Sequence, residues 1–338
     1  MPIIDVHCHV SPFEYPPAPN GDVAGRWPCM SCQSRASGTL MLGDKPFRPL
    51  DDRSWDAERR LEDMDRDGVA VQVLSPMPEL LAYWHSPADA VLLCDAVNAQ
   101  IADMIARHPG RFRGLGAVPL QDPAAATGYL KRLKDQFGLS GVELGSNING
   151  KMLGDPSFDG FYAEAEALGL SIFVHALHPV AAKAAAVPSV DTAFVYFPID
   201  VAMAAASIAM NGVLDRFPDL RIAFSHGGGA IGSIIGRMNT GWHATDGYGG
   251  RMQEAPSETL QKMFFDSNVL DSDYLSYLVR KVSPGHIFVG TDYPYQIRQQ
   301  DPARFISNPS FSPAELESLE WLAAEKFLNE QIAKPWTG

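Results

Sequence analysis

The stretch IIDVHCH, residues 3–9, opens the chain and decides how the rest of the sequence is interpreted. It is an apolar run that ends in two histidines. Side chains two positions apart on a β-strand point to the same side, so His7 and His9 project together while Cys8 points the other way. Two imidazoles that point the same way at the end of a strand can coordinate one metal ion together. A bare H-x-H is common by chance, however, and needs support from the rest of the chain.

Seven more apolar runs follow this one, and a longer helical stretch comes after each of them. The predicted strands cover residues 3–9, 69–75, 112–119, 141–145, 171–175, 221–226, 262–268 and 286–292. Nearly continuous apolar strands that alternate with helices are typical of a parallel sheet buried on both faces. Eight such units predict an α/β fold that closes into a (β/α)8 TIM barrel, with residues 1–338 as one domain. An open doubly wound sheet is disfavoured because no G-x-G-x-x-G motif opens the first helix.

One segment, residues 11–50, does not fit this alternation. It is rich in proline and glycine and follows the first strand, so it would lie over the mouth of the barrel. Long loops at that position usually shape substrate access. We therefore expect an inserted lid or small subdomain, with a short hairpin near residues 38–48.

Polar residues also end later predicted strands. His175 closes SIFVH, Asp292 closes HIFVGTD, and His226 closes RIAFSH before three glycines. The carboxyl ends of barrel strands meet at one rim, where barrel active sites lie. One such residue alone would be interpreted as a capping or hydrogen-bonded core residue. Several buried polar groups on one rim each need a partner, and one divalent ion would satisfy three histidines and an aspartate together.

The composition disfavours several classes of function. A formal charge of −13, from 27 Lys and Arg against 40 Asp and Glu, argues against nucleic acid and anionic lipid as partners. The most apolar run, residues 201–210, is shorter than the ~20 residues that a bilayer requires. The first ten residues lack the basic start and apolar run of a signal peptide. Because four cysteines are too few for a disulfide scaffold, we expect a cytoplasmic protein.

Motifs that carry more specific information are spread over nearly the whole chain. They are DVHCH, GDKPFRPL, MDRDGVAVQVLS, VPLQD, FVH, FSHGGG, IGRMNTGW, FFDSN and GTDYP. In combination they resemble the amidohydrolase superfamily, and within it the decarboxylase branch typified by 2-amino-3-carboxymuconate-6-semialdehyde decarboxylase. The resemblance implies that a divalent metal, usually zinc with manganese as the alternative, is bound by His7, His9, His175 and Asp292. It implies His226 and Asp292 as catalytic residues, with His226 activating a water on the metal or exchanging the substrate proton.

The reaction that the resemblance implies is non-oxidative, metal-dependent decarboxylation of a small planar acid, of the carboxymuconate semialdehyde or hydroxybenzoate type. Arg48 matches the family arginine that holds a substrate carboxylate, and Phe47 would line the pocket. Arg237 matches an arginine that the neighbouring subunit of a homodimer contributes. Arginine suits this role because its planar guanidinium can bind a carboxylate through two parallel hydrogen bonds.

Other interpretations stay open at this point. A hydrolase or hydratase on the same barrel would hold two metal ions, with Glu143 as the bridging carboxylate and His175 and His226 on the second ion. A non-enzymatic metal-binding protein is disfavoured because binding alone needs no extra histidine beside a complete ligand set. Cys29 and Cys32 form a C-x-x-C inside the insertion. We interpret them as ordinary thiols, since no second C-x-x-C completes a zinc site.

Overall fold

The computed structural model describes residues 2–19, 25–185 and 192–334. Eight parallel strands form one sheet in chain order. They are β1 (Ile3–Val10), β2 (Val69–Pro76), β3 (Phe112–Gly116), β4 (Gly141–Gly145), β5 (Ser171–His175), β6 (Ile222–Phe224), β7 (Phe264–Asp266) and β8 (Ile287–Phe288). Backbone hydrogen bonds join the two ends of the sheet, from Val6 N–H to Val289 O (2.9 Å) and from His9 N–H to Tyr293 O (2.7 Å). The predicted TIM barrel is confirmed.

Helices cover the outside of the barrel. The main ones are α1 (Ala57–Asp67), α2 (Pro87–Arg107), α3 (Pro123–Phe137), α4 (Asp159–Leu168), α5 (Phe197–Met210), α6 (Ile231–Ala244), α7 (Ser272–Lys281) and α8 (Ala323–Leu328). Shorter helices are Val180–Ala185, Val213–Arg216, Asp246–Gly250, Pro256–Leu260, Pro302–Ile306 and Pro313–Glu317. The ends of α1 follow from the sequence, since the Asp56 carboxylate accepts hydrogen bonds from two first-turn N–H groups and Gly68, at φ 72°, ends the helix.

Single helical turns connect these elements. Turns of 3-10 helix lie at Asp52–Ser54, Pro78–Leu81, Pro156–Phe158, His226–Gly228 and Pro284–His286, and π-helical turns lie at Thr192–Tyr196 and Ser318–Leu322. Four strands, β3, β6, β7 and β8, end two to four residues before their predicted ends. At β6 the physical reason is the left-handed backbone of His226, whose φ angle of 55° an extended strand cannot contain. Asp292, at φ 68°, is excluded from a strand in the same way, but β8 already ends four residues earlier, at Phe288.

The segment after β1 forms a small antiparallel sheet of three strands, Pro28–Ser34, Ser37–Leu42 and Lys45–Asp51. Its second and third strands make the hairpin expected near residues 38–48. Residues 20–24 of the predicted insertion lie outside the described residues. The third strand carries Phe47 and Arg48 to the wall of a cavity at the barrel mouth. A lid role for residues 11–50, and their status as a subdomain, stays a prediction.

Apolar side chains fill the barrel below its mouth. Every strand except β4 contributes to this cluster, whose members include Ile4, Val6, Val71, Val73, Leu115, Phe173, Ala223, Phe264 and Phe288. The C-terminal helical segment packs against the same cluster with Trp321 and Phe327. The Phe327 ring lies 5.5 Å from that of Phe264 and 5.1 Å from that of Phe288. Because apolar side chains fill the lower part of the barrel, the polar groups converge at its mouth.

One helical segment has an unusually apolar composition. Residues Thr192–Met210 form 19 residues of continuous helix that is apolar enough to cross a membrane by length and composition alone. Within its most apolar window, 44% is buried inside the protein. Asp200 in this helix is buried and accepts hydrogen bonds from Asn147 Nδ2 (2.9 Å) and Val180 N–H (2.8 Å). These contacts are those of a core helix that packs on barrel loops.

Gly141→Ala should destabilise the barrel. A Cβ at this position in β4 would lie 2.1 Å from the carbonyl oxygen of Ser171 on the neighbouring strand. Because backbone atoms block it, the strands must separate, at a cost of about 1–3 kcal/mol. Gly128→Ala is the control, since that glycine lies in α3 with no atom near the added Cβ. It should stabilise by about 0.5–1 kcal/mol. Urea unfolding of both variants measures the difference, and equal stability would contradict the packing described for β4.

Candidate metal centre and active-site cavity

Four side chains converge at the carboxyl end of the barrel, as expected from the sequence. His7 and His9 come from the end of β1, His175 from the last residue of β5, and Asp292 from the loop after β8. The Nε2 atoms of His7 and His9 lie 3.0 Å apart. Asp292 Oδ1 lies 3.3 Å from His7 Nε2, 3.1 Å from His9 Nε2 and 3.9 Å from His175 Nε2. All four potential ligand atoms lie within 4.8 Å of one another.

The hydrogen bonds around this cluster fit a divalent cation. His7 Nδ1 contacts Asp266 Oδ2 at 2.5 Å, and His9 and His175 each place Nδ1 2.9 Å from a backbone carbonyl. The Nε2 atoms are thereby turned toward one point. His175 Nε2 and Asp292 Oδ1 are buried, and neither has a hydrogen-bond partner among the described residues. Because buried polar atoms are nearly always partnered, a donor set of three imidazole nitrogens and one carboxylate oxygen fits a shared metal ion.

Charges in the cluster reinforce this arrangement. Burial disfavours a protonated ring, but Asp292 and Asp266 raise the pKa of His7 to about 10. Burial acts the same way on His9, whose pKa Glu143 and Asp292 raise to about 9. Burial also opposes the charge of Asp292, yet the neighbouring histidines hold its pKa well below the usual value. The carboxylates that favour protons on these rings would equally favour a divalent cation.

The backbone around the cluster is strained. His226 and Asp292 both adopt left-handed φ angles, which cost non-glycine residues about 1–3 kcal/mol each. Hydrogen bonds hold both turns, since Asp292 N–H donates to His7 O (2.8 Å) and Gly227 N–H donates to Asp266 Oδ1 (2.7 Å). At Gly229 a Cβ would lie 1.8 Å from the carbonyl oxygen of residue 198. The glycines after His226 therefore let this loop pack directly on the start of α5.

His226 stands beside the ligand set without belonging to it. Its Nε2 lies 3.5 Å from Asp292 Oδ2, and its Nδ1 lies 3.0 Å from Ser225 Oγ. Its ring centroid is 5.1 Å from that of His175. His226 also lines the cavity. This position suits a group that transfers protons near the metal.

The cavity above the cluster has a volume of about 1160 Å3. Phe47, which is 41% exposed, and Arg48 form part of its wall, and their role in binding substrate stays a prediction. The Arg48 guanidinium lies 4.7 Å from the centre of the Tyr295 ring, and Tyr295 stacks on His9 at 5.2 Å. Arg48 Nη2 also donates to Glu79 Oε1 at 2.9 Å. The sequence pattern does not indicate that Glu79 contacts Arg48.

Two other residues were missed for different reasons. Asp266 ends β7 and contacts His7, and its position after the apolar pair FF is the same signal that identified Asp292. Tyr295 is half-buried among the cavity residues, and its hydroxyl has no hydrogen-bond partner among the described residues. Asp266 lies in the motif FFDSN and Tyr295 directly follows the motif GTDYP, but the sequence does not indicate the contacts of either residue.

The remaining candidates lie outside the cluster. Arg237 is exposed on α6 and does not line this chain's cavity. Its assignment to a neighbouring subunit stays a prediction. Glu143 Oε2 lies 3.6 Å from His9 Nδ1, behind the ring, and Glu143 is not part of the four-residue ligand group. This is not the position of a carboxylate that bridges two ions. Cys29 and Cys32 are free, exposed thiols on the inserted sheet.

Comparison with known proteins adds independent information. A family model described as Amidohydrolase matches residues 4–329. The 2-amino-3-carboxymuconate-6-semialdehyde decarboxylase of Dictyostelium discoideum is 33% identical, over 96% of this chain and 91% of that protein. The crystal structure of 5-carboxyvanillate decarboxylase from Sphingomonas paucimobilis is similar, with a TM-score of 0.82 at 23% identity, over 98% of this chain and 99% of that chain.

A second solved structure resembles this one more distantly. It is a dihydroxybenzoic acid decarboxylase from a Polaromonas species with bound manganese and the inhibitor 2-nitroresorcinol. Its TM-score is 0.73 at 20% identity, over 82% of this chain and 87% of that chain. At these identities the two solved structures support the fold alone.

Asp266→Asn should weaken metal binding without unfolding the barrel. The amide keeps the size of the carboxylate but loses the charge that orients His7 Nδ1. Loss of such an outer partner typically costs 10–100-fold in metal affinity. Competition with a chromogenic chelator measures that affinity. Asp273→Asn, on an exposed turn of α7, is the control. Unchanged affinity in Asp266→Asn would show that this contact does not support the metal ligand.

Proposed function

The chain belongs to the amidohydrolase family, and on that premise we propose that it is a metal-dependent decarboxylase. The substrate is a small planar carboxylic acid of the carboxymuconate semialdehyde or hydroxybenzoate type. The observation that carries the proposal is the meeting of His7, His9, His175 and Asp292 within 4.8 Å, with His226 beside them in one cavity. The 33% identity to a decarboxylase over 96% of the chain supports the same reaction. The two-metal hydrolase is disfavoured because Glu143 lies behind His9.

We propose zinc as the resident ion, with manganese as the alternative. Three imidazoles and one carboxylate form a donor set that suits zinc. Manganese in the Polaromonas enzyme supports the alternative. A bound divalent ion would supply Lewis acidity to a substrate oxygen. All four cysteines are free thiols, which supports a reducing, cytoplasmic location.

Side chains of the protein supply the proton that replaces CO2 on the substrate. When the bond between substrate and carboxylate breaks, its electron pair stays on the carbon, and a proton must replace the departing CO2. His226 Nε2 and Asp292 Oδ2, 3.5 Å apart, form the pair that delivers this proton. Contacts of this length in a ligand-free site commonly shorten when substrate binds. Ser225 Oγ, 3.0 Å from His226 Nδ1, fixes the orientation of the ring.

The far end of the substrate lies against the inserted sheet. Phe47 offers an apolar surface to the planar ring, and Arg48 offers hydrogen-bond donors to a polar substituent. The protein works as a homodimer in which Arg237 reaches the cavity of the partner. The exposure of Arg237 on α6 leaves its guanidinium available for such a contact.

Decarboxylation should require both the metal and His226. In His226→Asn, the loss of proton transfer should lower kcat by about 10²–10⁴-fold. Metal content, measured by atomic emission, should stay at one ion per chain, since His226 is not a ligand. His243→Asn on the exposed end of α6 should behave as wild type. Full CO2 release by a chelator-treated, metal-free preparation would overturn the proposal.

Arg237 should act between subunits. Arg237→Ala and His226→Asn homodimers should each be nearly inactive. If the two chains are unfolded, mixed and refolded together, each mixed dimer gains one complete site, which has its own His226 and the partner's Arg237. Part of the wild-type rate should therefore return, as measured by CO2 release. Mixtures that stay as inactive as the separate variants would place Arg237 in its own chain's site or outside any site.

A further inference from the structure

Arg60 is a fully buried arginine whose hydrogen bonds go to uncharged groups. It lies in α1, on the side of the helix that faces the barrel. In the described part of the chain its guanidinium donates to Gln72 Oε1, His9 O and Arg53 O, and its Nη2 atom has no partner. Burial of a guanidinium costs free energy that its contacts must offset. These contacts therefore deserve a functional explanation.

A single nitrogen atom of Arg60 joins two functional parts of the molecule. Nη1 donates to His9 O at 2.9 Å and to Arg53 O at 2.7 Å. His9 ends β1 as a candidate metal ligand, and Arg53 lies in the helical turn that directly follows the third strand of the inserted sheet. That strand carries Phe47 and Arg48 in the cavity wall. The backbone of a metal ligand is thereby bonded to the base of the inserted sheet.

Other contacts fix the orientation of the guanidinium. Its Nε atom donates to Gln72 Oε1 on β2 at 3.0 Å, and its carbon lies 4.6 Å from the centre of the Tyr293 ring. The Tyr293 hydroxyl donates to Asp63 Oδ2 at 2.8 Å, and Tyr293 O accepts from His9 N–H at 2.7 Å. Both backbone polar groups of His9 are therefore bonded to residues, Arg60 and Tyr293, that also contact each other.

We propose that Arg60 is a positioning residue that holds the inserted sheet and the metal ligand His9 in one fixed relation. A guanidinium suits this role because its N–H groups point in fixed directions within one plane. Since the two carbonyls share Nη1, a displacement of the inserted sheet would pull this donor away from His9 O. Arg60 itself does not belong to the cavity lining or to the ligand group. The inference rests on the proposed metal centre and describes how that centre is coupled to the cavity wall.

A purely structural role for Arg60 is the competing explanation. The side chain could serve only to fill the space between α1 and the barrel. In that case a substitution would lower stability, but the protein that remains folded would bind metal as before and would keep the inserted sheet in place. A positioning role predicts instead that the metal centre and the inserted sheet both change in the folded protein.

The experiment uses Arg60→Met, which keeps an unbranched side chain but removes every donor. The protein is loaded with cobalt(II), whose visible spectrum reports the geometry of the ligands. Affinity for cobalt(II), measured by competition with a chelator, should fall by about 10–100-fold, and the visible bands should change in intensity. Amide hydrogen exchange of residues 28–51, followed by mass spectrometry, reports on the inserted sheet. It should become about tenfold faster or more, because the base of the sheet has lost its donor.

Two further variants separate positioning from packing. Met64→Ala, one turn further along the buried side of α1, leaves a cavity and should lower the urea midpoint. Because the Met64 side chain makes no hydrogen bond to His9 or Arg53, the cobalt(II) affinity, the spectrum and the exchange of residues 28–51 should match wild type. Arg60→Lys keeps the charge on a single nitrogen and should fall between wild type and Arg60→Met in both measurements. It carries the test if Arg60→Met does not fold.

Several outcomes would overturn the inference. They are wild-type cobalt(II) binding in the Arg60 variants, wild-type exchange of residues 28–51 in them, and changes of equal size in Met64→Ala. CO2 release by the wild type is measured separately, on carboxymuconate semialdehydes and hydroxybenzoates. If the variants behave as stated but no acid loses CO2, the decarboxylase proposal fails and the positioning proposal stands. If CO2 is released but the Arg60 variants bind cobalt(II) as wild type does, the reverse holds.

Discussion

The rest of the structure depends on one arrangement, in which three imidazole rings are turned toward the same carboxylate oxygen. His175 Nε2 and Asp292 Oδ1 are buried with no hydrogen-bond partner in the described part of the chain, and the Nε2 atoms of His7 and His9 lie 3.0 Å apart. Such a set is unfavourable in an apolar interior unless one group satisfies all of its members. A shared divalent cation does so. The barrel makes this possible because it brings strand ends that are distant in sequence to a single rim.

The rest of the barrel supports that rim. Below it, the apolar cluster with Phe173 and Phe288 fixes the strands. Beside it, Asp266 orients His7 and holds the loop that begins with His226, through the N–H group of Gly227. One carboxylate thus links a metal ligand to the proposed proton-transfer residue. His226 and Asp292 adopt a strained left-handed backbone, and this conformation directs both side chains toward the candidate metal centre.

These features explain which parts could be predicted from the sequence. The strands were identified because each is a short apolar run, and the four candidate metal ligands were placed together because polar residues end those runs. The end of β6 was placed too late because the apolar pattern does not indicate the left-handed turn at His226, and Asp292 was placed in β8 although its backbone is also left-handed. Asp266 gave the same signal as Asp292 and could have been found. The bond between Arg48 and Glu79 could not, since it depends on how the inserted sheet packs against the turn after β2.

Carboxylates lie at both ends of the cavity. Asp292, Asp266 and Glu143 place three carboxylates at or beside the three histidines of the candidate metal centre, and Glu79 pairs with Arg48 at the far end of the cavity. In a protein with a formal charge of −13, a cavity of this kind repels an anion unless a cation is held at its base. The metal would therefore serve binding as well as chemistry, because it supplies the positive charge that the first carboxylate of the substrate needs.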